Sequence, residues 1–369
     1  MKFKRHEHFY FLLFLGIYHL SFVFLSYSHI FKNGGDAFGY WFQTDSMQHK
    51  SWFDFFGYGT DAVLFLNYPL VNWFSISFFW GFMIYGIIGF LGFIQLYRLA
   101  LVMINATVLP SYTKYLLYAF LLLPNTHFWT AMIGKEALVF AALATLFLKA
   151  YQQKYTSILF ILSFLLIFIV RPHVAFMLLL TFGIVLLFSS KVTLKNKIIT
   201  LGTTLLLLSV SFYMFLQLSE IKRLDWSRIQ RFNLGSLRSF EGSGSFVPME
   251  TYSIPIKLFS FYFRPFFENT NDWHYIVMSM ENLVTMLLII AGTFAFSISR
   301  NTLRNYDFII FIFLFCVIAG LLFTQRYAGL GLFARTKIMI LPFLGVTFIS
   351  IINIHWEKYP MRLQKARKK

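Results

Sequence analysis

The chain has 369 residues, of which 58% are apolar and 13% are charged, and its formal net charge is +17. Soluble domains contain about 45–50% apolar and about 25% charged residues, so this composition excludes a soluble enzyme, a nucleic-acid-binding module and a disordered tail. Ten stretches have the length and apolarity of helices that cross a bilayer, roughly 17–25 residues each. In chain order they lie at about 9–29, 75–97, 115–132, 136–153, 156–170, 173–190, 198–217, 277–297, 307–324 and 338–354.

These stretches predict an all-α fold: a polytopic integral membrane protein with about ten transmembrane helices, forming a single transmembrane domain over 1–369. The only cysteine, Cys316, lies in an apolar run, which excludes an intramolecular disulfide and a cysteine-rich metal site.

The distribution of basic residues predicts the orientation of the spans. If the N-terminus is cytoplasmic and the spans alternate, the inner side holds more than half of the 32 Lys and Arg residues but only three of the 15 carboxylates. Cytoplasmic loops carry an excess of Lys and Arg, so we expect both termini in the cytoplasm. The basic cytoplasmic tail at 355–369 is interpreted as a contact with anionic membrane lipids and not with nucleic acid.

Two long outer loops, at 30–74 and 218–276, hold most of the residues outside the spans. The first is dense in aromatic residues, which indicates that it lies along the membrane interface. The second is predicted to contain a short helix capped at Asp225 and a flexible Ser/Gly stretch at 235–245. Its amphipathic segment at 254–267 predicts an interfacial helix on the outer face.

Basic residues also occupy the short outer turns, where the topology rule disfavours them. They are Lys135, Arg171, Arg326, Arg335 and Lys337. A charge near hydrocarbon is costly, so each is expected to have a partner. One interpretation is structural: ion pairs with nearby carboxylates (Glu136, Asp36 or Glu281), or side chains that extend to lipid headgroups.

The other interpretation is that several of these cations converge on a phosphate-bearing ligand at the outer face. The planar guanidinium of arginine donates two hydrogen bonds to one phosphate, which suits it to a lipid-linked pyrophosphate at the membrane boundary. Both interpretations stay open at this point.

Pro124 lies inside the third apolar stretch, where a proline breaks a helix. The polar residues Asn125, Thr126 and His127 follow it, and they either satisfy the freed carbonyls or line a polar cleft. No second ligand stands at metal spacing near His127 or His173 on the same helix, so we predict no metal site.

Asp36 is the carboxylate that we single out, because it follows the first span closely, after two glycines and among aromatic residues. It could act as a general base toward a sugar hydroxyl, with Tyr40 and Trp41 as stacking faces, or it could cap a short helix. Glu281 is expected to pair with Arg264 or Arg335. There is no Asp-x-Asp pair and no glycine-rich phosphate loop, so no cofactor is predicted.

Several short motifs, in the same order along most of the chain, resemble bacterial proteins of surface-polysaccharide biosynthesis. These are the O-antigen polymerases (Wzy-type) and the GT-C-like membrane glycosyltransferases. The motifs are an Asp after the first helix, Pro124-x-x-x-Phe-Trp with Lys135-Glu136, Arg171-Pro172, Phe-Arg-Pro-Phe at 263–266 before Glu281-Asn282, and Gly331-Leu with Arg335 and Leu-Pro342.

The resemblance implies chemistry on polyprenyl-linked glycans at the periplasmic face of the bacterial cytoplasmic (inner) membrane. It implies Asp36 as the catalytic base, and outer arginines (Arg171, Arg264, Arg326 and Arg335) that bind lipid phosphate, to which the charge pattern adds Lys135. The expected partners are the glycan substrate, membrane lipids and other polysaccharide-assembly proteins. The alternatives are a transporter or flippase of a lipid-linked or anionic solute, and a noncatalytic membrane scaffold.

Overall fold

The computed structural model describes residues 5–46, 50–104, 111–189, 192–218, 226–268, 273–300, 303 and 305–366. This part of the chain is helical and contains no β-strand. The predicted cap Asp225 lies outside the described residues. The helices are α1 (Arg5–Asn33), α2 (Asp36–Ser46), α3 (Thr60–Tyr68), α4 (Phe78–Ile104), α5 (Ser111–Leu121), α6 (Pro124–Thr130), α7 (Lys135–Tyr151), α8 (Ile158–Val170), α9 (Pro172–Phe188), α10 (Leu194–Leu218), α11 (Trp226–Arg238), α12 (Ile254–Phe263), α13 (Trp273–Ser299), α14 (Tyr306–Phe323), α15 (Leu330–Lys337) and α16 (Leu341–Ala366).

Five helices are long and apolar enough to cross a membrane: α1, α4, α10, α13 and α14. Two bent pairs pass the same test together, α6 with α7 at 115° and α15 with α16 at 53°, which raises the number to seven. Helices α8, α9 and α12 are apolar but shorter. The described helices therefore indicate a multi-pass membrane protein with five to seven candidate spans by length and composition.

The predicted third stretch, 115–132, is not one helix. Helix α5 ends at Leu121 and α6 begins at Pro124, after Leu123 in an extended conformation. A proline at the first helical position has no N–H to donate, and it disfavours helical geometry in the residue before it, so the break falls there.

The polar residues after this break satisfy carbonyls that it frees. His127 Nε2 hydrogen-bonds Leu121 O at 2.8 Å, and Tyr18 of α1 donates to Leu122 O at 2.9 Å. His127 Nδ1 also lies 2.9 Å from His19 Nδ1, which ties α6 to α1. The interpretation that these groups repair the broken helix is confirmed for His127.

The region at 218–276, predicted as the second outer loop, differs from its prediction in two places. Helix α12 ends at Phe263 and does not continue to 267, because Pro265 follows. The stretch predicted as flexible begins within α11, and Ser245 O at its end accepts a 2.9 Å hydrogen bond from Leu330 N. This bond fastens the outer segment to the start of α15.

Helix α4 packs closely on α6 and α7 because small residues line the contact. A Cβ atom at Gly89 would lie 2.1 Å from the backbone O of Thr130, and one at Gly92 would lie 2.6 Å from the ring of Phe140. Glycine lets helix backbones approach closely in membrane proteins. This contact fixes the start of α7, where Lys135 and Glu136 lie.

We expect the substitution Gly89→Ala to destabilise the protein by about 1–3 kcal/mol, because the added methyl group meets backbone atoms that cannot move aside. The measurement is thermal unfolding of the purified protein in detergent. Gly202→Ala on α10 is the matched control, since nothing lies within 4 Å of its Cβ position. Equal melting temperatures for the two variants would contradict the close α4–α6 contact.

Candidate functional site

A concave pocket of about 670 Å³ lies where α2, α3, the start of α7, the start of α9 and α15 meet. It brings together five of the eight predicted site residues, which are Asp36, Tyr40, Lys135, Arg171 and Arg335. They come from four separate connections of the chain. Their meeting is therefore a property of the tertiary structure and not of local sequence.

Glu136 organises the wall of this pocket. It lies in the first turn of α7, where the helix N-terminus favours a carboxylate, and its side chain is 2% exposed. Arg335 donates to its two oxygens from Nε at 2.6 Å and from Nη2 at 3.0 Å, and Arg171 donates to Oε1 from Nη2. One buried carboxylate thus holds two guanidinium groups from α15 and from the α8–α9 junction.

Arg171 is placed by the break between α8 and α9. Pro172 begins α9, and Arg171 O accepts the N–H of Val174 at 2.9 Å, as an N-cap carbonyl does. The side chain is buried, and its Nε has no hydrogen-bond partner among the described residues. A buried donor without a partner costs free energy, so a hydrogen-bond acceptor beside this N–H would stabilise the site.

Arg335 lies in the last turn of α15 and is held on three sides. Besides Glu136, it donates from Nη1 to Asp36 Oδ2 at 2.5 Å, and its guanidinium carbon lies 5.8 Å from the ring centroid of Trp129. The Asp36 side chain is 60% exposed, in contrast to that of Glu136. The Asp36 side of Arg335 is therefore the side that faces the pocket.

Lys135 lines the same pocket, beside the hydroxyl of Thr60 and the ring of Tyr40. Its Nζ donates to Thr60 Oγ1 at 3.1 Å and lies 5.9 Å from the ring centroid of Tyr40. It forms no ion pair within the part of the chain that the structure describes. Burial raises the pKa of Tyr40, and the nearby charge of Glu136 acts in the same direction, so Tyr40 stays a neutral phenol at physiological pH.

Two further aromatic residues of the pocket, Tyr58 and Tyr327, were not predicted. Tyr58 lies just before α3 and Tyr327 in the turn after α14. Only the dense aromatic composition of the first loop pointed to Tyr58, and nothing in the sequence pointed to Tyr327. Tyrosine rings present a flat apolar face with a polar edge, which suits contact with a sugar.

Trp41 does not offer the stacking face that the sequence suggested. The residue is 2% exposed and packs in the core, where its ring lies against Gly81 of α4. Tyr40 and Trp41 are adjacent on α2, so their side chains leave the helix in different directions. Only Tyr40 lines the pocket.

Two predicted phosphate-binding arginines lie outside the pocket lining. Arg264 donates to both oxygens of Glu268, at 2.6 and 2.5 Å, and this pairing raises the pKa of Arg264. Arg326 stacks 4.3 Å from the ring centroid of Phe232 on α11, and burial lowers its pKa. Arg326 directly precedes the pocket residue Tyr327. Arg264 is instead held by the carboxylate of Glu268, outside the pocket.

Glu281 does not pair with Arg264 or Arg335, which corrects the sequence-based expectation. It accepts the backbone N–H of Asn125 at 2.8 Å, one of the unpaired donors at the start of α6. Both arginines are instead bonded to other carboxylates. The structural ion pairs expected with Glu136 and Asp36 are present, and they form the wall of the pocket.

Within the described residues, no three side chains of the types that bind metals cluster together. Comparison of the chain with protein-family models, with curated proteins and with solved structures gives no match. The functional argument therefore rests on the chemistry of the pocket.

We expect the substitution Glu136→Gln to lower the stability of the protein by about 3–5 kcal/mol, because it leaves two guanidinium groups without their buried counter-charge. Thermal unfolding in detergent measures the effect. Glu250→Gln is the control, since Glu250 forms an exposed pair with Arg238, and surface pairs contribute little. If both variants have the melting temperature of the wild type, Glu136 does not organise the site.

Proposed function

We propose that this protein is an enzyme of surface-polysaccharide biosynthesis that transfers or polymerises a polyprenyl-linked glycan at the periplasmic face of a bacterial inner membrane. The observation that supports it best is the meeting of Lys135, Arg171 and Arg335 with the exposed carboxylate of Asp36 in one pocket. Three cations suit a lipid pyrophosphate, and the carboxylate suits the acceptor hydroxyl.

The proposal includes ten spans with both termini in the cytoplasm. In that topology the connections that carry Asp36, Lys135, Arg171 and Arg335 all lie on the outer side. Their convergence in one pocket supports the shared side, because side chains at opposite membrane faces would lie about 30 Å apart.

In the proposed reaction the lipid-linked donor enters the pocket from the outer leaflet. Lys135, Arg171 and Arg335 bind its pyrophosphate and stabilise the negative charge that develops as the bond from the sugar carbon to the phosphate oxygen breaks. Asp36 accepts the proton of the acceptor hydroxyl, whose oxygen forms the new glycosidic bond. Arginine stays protonated near neutral pH, so the positive charge is permanent.

The tyrosines of the pocket are proposed to contact the sugars. Tyr40, Tyr58 and Tyr327 lie on its lining, and each carries a hydroxyl that can hydrogen-bond a sugar. The proposed partners are the polyprenyl-linked glycan, membrane lipids and other polysaccharide-assembly proteins.

A transporter or flippase is the second candidate, and one observation favours it. A smaller cavity of about 30 Å³ between α4, α6, α13 and α15 is lined by the charged residues Glu281 and Lys337 and by Asn125 and Asn282. Ionisable side chains within membrane-spanning helices often mark transport paths, and Glu281 lies on the candidate span α13. Vesicles reconstituted with the protein separate the two: a new glycosidic bond indicates the enzyme, and movement without a new bond indicates the transporter.

We expect Arg171→Ala and Arg335→Ala to reduce glycan transfer at least about 100-fold, the effect of losing a group that stabilises transition-state charge. The measurement is the length and abundance of the surface glycan in a gene-deletion strain complemented with each variant. Arg238→Ala is the control, because this exposed arginine pairs with Glu250 away from the pocket. Normal glycan with the pocket variants, at equal protein levels in the membrane, would contradict the proposal and would favour a scaffold.

The topology is tested with single cysteines at two exposed positions, Ser51→Cys and Thr156→Cys. A maleimide that cannot cross the membrane should label Ser51→Cys in spheroplasts, and should label Thr156→Cys only after the membrane is opened. The wild type controls for the native Cys316, which is buried. Labelling of both positions from the same side would contradict the proposed orientation.

A further inference from the structure

Arg335 is shared by two carboxylates that differ sharply in environment. Two of its nitrogens, Nε and Nη2, bond the buried Glu136, and the third, Nη1, bonds Asp36 at 2.5 Å. The Glu136 side chain is 2% exposed and the Asp36 side chain is 60% exposed. Arg335 is therefore fixed on one side and open to exchange on the other.

The charges at the pocket balance in this state. The lining cations are Lys135, Arg171 and Arg335, and the carboxylates are Asp36 and Asp61 on the lining with Glu136 directly behind it. An anion that enters a balanced site gains little attraction until a carboxylate moves away. The structure shows which of the three is free to move.

Glu136 cannot leave, because it is buried and bonded to two guanidinium groups. Asp61 bonds none of the three cations within the described residues, so its movement would free no donor for an anion. Among the described residues Asp36 has one side-chain partner, Arg335, and its exposed carboxylate can rotate into solvent at little cost. The helix that carries it stays in place, because Ala37 and Tyr40 of α2 are buried.

We propose that Asp36 occupies the phosphate position on Arg335 and that the phosphate of the substrate displaces it. This inference rests on the proposed function. A phosphate oxygen replaces Asp36 Oδ2 at Arg335 Nη1, and the released carboxylate becomes available to accept the proton of the acceptor hydroxyl. Binding of the lipid-linked glycan thereby frees Asp36 to act as the base. Until that substrate is present, the carboxylate of Asp36 stays bonded to Arg335.

The exchange favours phosphate over the carboxylate for a geometric reason. In the part of the chain that the structure describes, Asp36 bonds only Arg335, whereas a pyrophosphate carries more charge and several acceptor oxygens. These oxygens can bond Arg335 together with Lys135, whose Nζ has only Thr60 as a hydrogen-bond partner among the described residues. One ligand then bonds two cations of the pocket wall, beside the positive charge of Arg171.

The test is the binding of inorganic pyrophosphate to the purified full chain, by titration calorimetry at one fixed ionic strength. We expect Asp36→Ala and Asp36→Asn to bind pyrophosphate at least about tenfold more tightly than the wild type, because the competing charge is removed. The same variants should lose glycan transfer. Glu250→Ala, an exposed carboxylate outside the pocket, should bind as the wild type does.

A double variant shows whether the tighter binding of pyrophosphate depends on Arg335. Asp36→Ala/Arg335→Ala should bind no more tightly than Arg335→Ala alone, since the position that Asp36 blocks is then missing. Unchanged or weaker binding by both Asp36 variants would overturn the exchange. Because Asp36 is exposed, melting temperatures close to that of the wild type are expected for both.

The failure of the exchange is distinguishable from the failure of the proposed function. If the Asp36 variants bind more tightly but the wild type transfers no glycan, the anion exchange is supported and the enzyme proposal is contradicted. If no variant and no wild-type protein binds pyrophosphate, the phosphate site is contradicted and the exchange with it.

Discussion

The buried carboxylate of Glu136 is the interaction on which the pocket depends. It joins the start of α7 to Arg171 and to Arg335, and so brings three connections of the chain together. A guanidinium group buried near hydrocarbon is costly without a counter-charge. Glu136 provides that counter-charge behind the pocket, and Arg335 Nη1, which it does not use, bonds Asp36 on the pocket side. The close packing of α4 on α6 and α7 in turn fixes the position of Glu136.

The two carboxylates on Arg335 have separate roles in this account. Glu136 is permanent and orients the guanidinium group, whereas Asp36 is exposed and fills the side that faces the pocket. The arginine and carboxylates that form the structural ion pairs are therefore the same residues that the proposed phosphate site uses. The stability of the site and its proposed capacity for an anion depend on one network, and they are separable only by changing Asp36 and Glu136 independently.

Much of the fold follows from composition and apolar length, and each of the ten predicted stretches contains a helix. Five of the eight predicted site residues meet in the pocket, and three of them are basic residues in short turns, which need partners wherever the turns lie in sequence. The features that the sequence does not show depend on tertiary contacts. The face of α2 that buries Trp41, the backbone partner of Glu281 and the entry of Tyr327 into the pocket each involve residues far apart in the chain. Pro124 predicts the break between α5 and α6, and the turn before Lys135 and Glu136 is also predicted, but the sequence does not give the 115° angle between α6 and α7.

The most direct test of the central claim is an experimental structure of the protein in a lipid nanodisc with a polyprenyl pyrophosphate bound. The account predicts phosphate oxygens about 3 Å from Arg335 Nη1 and Lys135 Nζ, with Asp36 turned away from Arg335. A lipid pyrophosphate bound elsewhere on the protein, while Asp36 and Arg335 remain paired, would contradict it.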